Sequence, residues 1–146
     1  MSKERRVSVS RLIDASPQMI FDVLADPARH TEIDGSGTVR SAKVPGQRLA
    51  MGTKFGMKMK LGVPYSISST VVEFEEDKLI AWAHFGKHRW RYELEVTDGA
   101  TMVTETFDWS TSFMPLFIEL VGYPKTHTQN MRKTLERLEA IVTATG

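Results

Sequence analysis

Glu105 is the third residue of Val103-Thr104-Glu105-Thr106-Phe107-Asp108-Trp109. In a strand, successive side chains alternate, so Glu105 shares a face with Val103, Phe107 and Trp109, while Thr104, Thr106 and Asp108 take the other. A carboxyl held among apolar groups resists ionisation, and its pKa rises. Such a group suits acid or base work in an aldol-type cyclisation or dehydration, or it can orient a ligand oxygen. A register slip, a bulge or an ion pair to a rim arginine would make it structural instead.

Histidine supplies the other candidates. His84 lies in the apolar run Leu79–Phe85 on the Ile80 and Trp82 face, and it titrates near neutrality. His127 precedes Met131 by four residues, which puts it on or beside the apolar face of a helix, with Tyr123 flanking the same start. His88 falls in Lys87-His88-Arg89 and is expected to be solvated. The four histidines (His30, His84, His88, His127) show no His-x-x-x-His spacing and there is no cysteine, so neither a metal nor a cofactor is expected. Phe55, Met57, Met59, Trp90, Tyr92, Phe107 and Met131 make a candidate apolar lining, and methionine adapts to irregular ligands. Core packing would use the same residue types.

The elements that must position these groups are legible in outline. Val7–Asp14 reads as a strand, and Ser16-Pro17 starts a helix that Asp26-Pro27 ends. Residues 28–34 suit one or two further helical turns. Strands follow at Thr38–Val44, Thr53–Leu61, Tyr65–Glu75, Leu79–Phe85, His88–Val96 and Thr101–Trp109, with Gly62-Val63-Pro64 breaking one from the next. Asp98-Gly99 is a two-residue hairpin signal. The apolar stretch Phe113–Val121 suits a short helix or lid. Residues 124–145 form a long helix with Met131, Leu135, Leu138 and Val142 in one stripe and Ile141 beside it. Short connections between strands predict an antiparallel meander.

Bulk properties exclude more than they suggest. A chain of 146 residues forms one domain, 1–146, large enough to bury roughly 70% of the surface its unfolded form exposes. A net charge of +1 gives no mandate for nucleic acid. Lys54, Lys58, Lys60, Arg89 and Arg91 are interleaved with Glu93 and Glu95 on the outer face of the sheet, as a solvated surface would be. No apolar run reaches the ~20 residues of a membrane span, and the charged N-terminus lacks a signal-peptide core, so a cytoplasmic location is expected.

Ser16-Pro17 with Ile20-Phe21, Leu24 and Asp26, then Val72-Glu73-Phe74 leading to Leu79-Ile80-Ala81-Trp82, then Gly99 with Thr101, Val103 and Thr104, resemble the START-like helix-grip superfamily (SRPBCC), in its polyketide cyclase/dehydrase branch. The resemblance spans essentially the whole chain. It implies an α+β helix-grip fold: a curved antiparallel sheet of about seven strands wrapped around a long C-terminal helix, with two short helices after the first strand. One departure is Ile33-Asp34-Gly35, where many relatives carry a tryptophan. The family binds sterols, lipids, polyketides or hormones between sheet and helix, and some members cyclise or dehydrate them. The leading expectation is therefore carriage of a hydrophobic small molecule in an internal cavity, lined by Phe55, Met57, Met59, Trp90, Tyr92, Glu105, Phe107, Tyr123, His127 and Met131. A cyclase or dehydratase using Glu105 with His84 or His127 is the second, and a protein-interaction or regulatory module the third. A homodimer stays open.

Overall fold

Ser16 caps the first helix by accepting a hydrogen bond from the Met19 amide at 3.2 Å, and Pro17 follows at the first helical position. Asp26 then caps a single 3-10 turn, Pro27–Arg29, through the Ala28 amide. The computed structural model describes residues 6–35, 39–42, 47–83, 88–110 and 123–143. The order of elements is β1 (Arg6–Ile13), α1 (Pro17–Leu24), α2 (His30–Ile33), β2 (Val39–Ala42), β3 (Lys54–Leu61), β4 (Val63–Glu75), β5 (Leu79–Ala83), β6 (Arg89–Thr97), β7 (Ala100–Asp108) and α3 (Tyr123–Thr143).

The strands form one curved, seven-stranded sheet in the order β1-β7-β6-β5-β4-β3-β2, and every pairing is antiparallel. Apart from the closing β1–β7 pair, neighbours in the sheet are neighbours in sequence, as the short turns require. A register shift between Val71 and Glu73 adds a residue to β4, so that Val71 and Phe74 both pair with inward positions of β5. Such a bulge bends the strand and helps the sheet curl.

The long helix packs against β1, β7, α1 and α2. Met131, Leu135, Leu138 and Val142 are buried and Ile141 is half-buried, as the spacing predicts. Leu135, Leu138, Ile141 and Val142 meet Ile13, Ile20, Leu24, Ile80 and Val103 in one continuous core, while Met131 joins Phe107 and Trp109 in a second cluster. Gly35 brings α2 up to α3. A Cβ there would collide with the Asn130 carbonyl oxygen. The Gly35 amide instead donates to Thr134 Oγ1 at 2.9 Å, and Arg137 donates to the Asp34 carbonyl.

Two expectations need correction. β4 begins at Val63, not Tyr65: Pro64 lies opposite Lys60 at an exposed hairpin end, where a missing amide proton is tolerated. Only Gly62, at φ 76°, interrupts the strands there. The second helical segment forms as expected, as a 3-10 turn followed by the short α2. His88 is not solvated; its ring meets the Phe107 ring edge-on at 5.4 Å. His84 and Phe113–Val121 lie outside the described residues.

Candidate functional site

The hairpin register places the chemistry. Tyr92 of β6 lies directly opposite Glu105 of β7, and Val9 of β1 flanks Glu105 on its other side. The next rung of the same face runs Val7, Phe107, Trp90, Trp82 and Val71. Glu105 is 2% exposed, so alternation in β7 aims it inward as the sequence predicts. The Tyr92 hydroxyl donates to Glu105 Oε2 at 2.9 Å. Glu105 Oε1 has no hydrogen-bond partner among the described residues.

Burial dominates the electrostatics. Loss of hydration pushes the Glu105 carboxyl up to about 8; the Tyr92 hydrogen bond opposes the shift and the negative field of Asp34 adds to it. Tyr92 is also driven well upward, by burial first and by Glu105 second. At neutral pH the pair is therefore mostly a neutral acid beside a neutral phenol. A carboxylic acid in that state both donates and accepts, and this one has an oxygen to spare.

His127 occupies the neighbouring rung. Its ring lies 4.5 Å from Phe107 and 4.8 Å from Trp90, edge-on to both. Burial, helped by His88, pushes its pKa down to about 4, so it is neutral at physiological pH. Met131, one helical turn on, packs with Phe107 and Trp109. The imidazole thus caps an aromatic cluster rather than adding charge to it.

A family model described as polyketide cyclase / dehydrase and lipid transport matches residues 4–143. The chain belongs to that family. Among curated relatives, Uncharacterized protein Rv0088 of Mycobacterium tuberculosis is 42% identical over 140 residues, 91% of this chain and 62% of that protein. The chain thus spans less than two thirds of its relative's length. Protein NE0264 from Nitrosomonas europaea superposes with a TM-score of 0.76 at 15% identity, covering 99% of this chain and 97% of that one. The Aha1 dimer from Colwellia psychrerythraea gives 0.64 at 15% identity, covering 97% and 98%. At these identities the likeness to solved structures is one of fold.

Within this family frame, the residues predicted as lining divide into two groups. Phe55 and Met57 are buried and Met59 half-buried on β3, around Trp82 and Tyr92. Trp90, Phe107, His127 and Met131 form the second group, beside Glu105. Tyr123 opens α3. Two solvent-open hollows border the described residues. One of ≈ 220 Å³ lies between β1 and α3 at Val9, Arg11, Arg132 and Leu135; the other, of ≈ 320 Å³, lies at Asp22, Asp26, Gln47 and Arg48. Neither touches Met57, Met59, Trp90 or Tyr92. No metal-holding cluster occurs among the described residues.

Two features escaped the sequence reading. His30, grouped there with scattered histidines, is buried and stacked on Trp82 at 5.0 Å, with Nε2 against the Leu24 carbonyl at 2.8 Å. Burial lowers its pKa, so Nε2–H donates to that carbonyl and the ring stays neutral. The Tyr92–Glu105 partnership was also missed, although counting outward from Asp98-Gly99 pairs those two positions. At Ile33-Asp34-Gly35 this chain has a polar junction. Asp34 Oδ2 accepts from the Val39 amide at 3.1 Å, and the glycine lets α3 close.

Proposed function

We propose that this chain binds and carries a hydrophobic small molecule bearing a hydroxyl or carbonyl oxygen, which the Glu105 carboxyl engages. One observation carries the reading: a buried carboxyl with one oxygen held by Tyr92 and the other without a partner among the described residues, on a face walled by Val9, Trp90 and Phe107. A neutral acid on an apolar face favours a ligand whose oxygen completes its hydrogen bonding and whose carbon skeleton tolerates the aromatic wall. The family's description, which names lipid transport, supports the same class. Met57 and Met59 are flexible enough to repack around such a guest. Residues 1–146 act in this reading as one cytoplasmic START-like domain without a resident cofactor.

A second reading has its own support. A carboxyl titrating at about 8 is matched to proton transfer near neutrality, and the family's description also names cyclase and dehydrase activity. Glu105→Gln separates the two. If the residue anchors a ligand, affinity for an oxygen-bearing probe falls about tenfold, the worth of one hydrogen bond. If it is a catalytic acid, binding survives while turnover falls by roughly a hundredfold or more. We expect the first outcome; unchanged affinity with lost turnover would overturn it.

A further inference from the structure

Residues 35–72 hold six of the chain's 19 lysines and arginines and none of its 18 aspartates and glutamates. The near-neutral total therefore hides one strongly basic stretch, which runs through β2, β3 and the first part of β4. Within this stretch Arg48 is neutralised, bridging Asp22 and Glu76, and outside it Arg89 and Arg91 both reach Glu73. Lys54, Lys58 and Lys60 are exposed and form no ion pair among the described residues.

The same hairpin ends in exposed apolar groups. Val63 is 69% and Tyr65 39% exposed, with Gly62 and Pro64 exposed beside them. Register puts Tyr65 opposite Met59 and Lys58 opposite Ser66, so one face of the hairpin is apolar and the other basic. The apolar face continues the inward row of Phe55, Met57 and Met59. Backbone pairing persists to Leu61 and Val63, so few backbone polar groups at the tip would be left unpaired in an apolar medium.

We propose that the β3–β4 hairpin docks the protein onto anionic lipid bilayers, with Val63 and Tyr65 entering the interface and Lys58 and Lys60 meeting headgroup phosphates. A strand rises about 3.3 Å per residue, so Lys60 and Lys58 lie roughly 7 and 13 Å behind Gly62, within reach of the headgroup layer when the tip enters. Tyrosine favours that boundary, and lysine stems can lie along apolar surface while their ammonium groups stay hydrated. A convex tip inserts among lipids but gives a protein partner little area to bury. The docking is independent of the ligand reading, and the two fail in different experiments.

Sedimentation of the full chain with vesicles tests it. Wild type should pellet with vesicles of phosphatidylcholine and phosphatidylglycerol, should stay in solution with phosphatidylcholine alone, and should be released as salt rises. The double variant Lys58→Gln/Lys60→Gln should lower partitioning about 25-fold, near fivefold for each lysine. Val63→Asp should lower it at least tenfold, with the circular dichroism spectrum and melting temperature of wild type, since the site is exposed. Wild type that ignores anionic vesicles overturns the proposal, including the case in which it binds an acidic polymer such as polyglutamate instead. Vesicle binding that both variants retain overturns it as well.

Discussion

Glu105 ties stability to pH in a direction that can be worked out. The folded chain holds its proton up to about 8, whereas an unfolded glutamate releases it near 4.5. Between those values the native state binds more protons than the unfolded one, so stability falls as pH rises from 4.5 to 8 and the effect levels off above. The whole effect amounts to several kcal/mol at most. Urea denaturation across this range should show the decline in wild type and lose much of it in Glu105→Gln. His127 works in the opposite sense: its folded value of about 4 lies below its ordinary 6.5, so its contribution is lost as pH falls through that interval. His127→Phe should flatten the acid side of the profile, and an unchanged acid limb would contradict its burial against Phe107. Alternation alone exposed the inward aim of Glu105. Its partner needed the register, which a two-residue turn at Asp98-Gly99 fixes.

Gly35 shows how one residue sets the relation between elements. Any Cβ there meets the Asn130 carbonyl and the Lys133 Cβ, both in α3, so the helix would have to withdraw. Gly35→Ala should therefore cost about 2–3 kcal/mol, read as a lower denaturation midpoint, by the overpacking that a close contact imposes. A midpoint equal to wild type would mean that α2 and α3 are not held this close. Periodicity made α3 legible, because a stripe of Met131, Leu135, Leu138 and Val142 has no other economical burial. The strands were legible from alternation to within a residue or two. The start of β4 was not, because Pro64 reads locally as a breaker while the hairpin end tolerates it. The burial of His30 was hidden for a different reason: nothing in α2 alone shows that Trp82, some fifty positions on, supplies the stacking partner.

For the whole molecule, the fold depends on the helix closing the concave face. Leu135 is fully buried in the shared core, so Leu135→Asp places an unpaired charge there and should cost several kcal/mol. Loss of the cooperative thermal transition is expected, and an unchanged melting temperature would contradict the placement of α3. Family and architecture were legible from the order and spacing of elements, since those record how layers pack. The ligand was not, because residue types that pack a core also line a binding site. The central claim is that the interior holds an apolar molecule by its oxygen at Glu105, and one titration tests it most directly. Tryptophan fluorescence, reporting through Trp82 and Trp90, is followed as anthrone and dihydroanthracene, which differ by the ketone oxygen, are added to wild type and to Glu105→Leu. The account predicts that wild type prefers the ketone by about tenfold and that the preference disappears in the variant. Equal preference in the two proteins, or no binding of either compound to wild type, would contradict it.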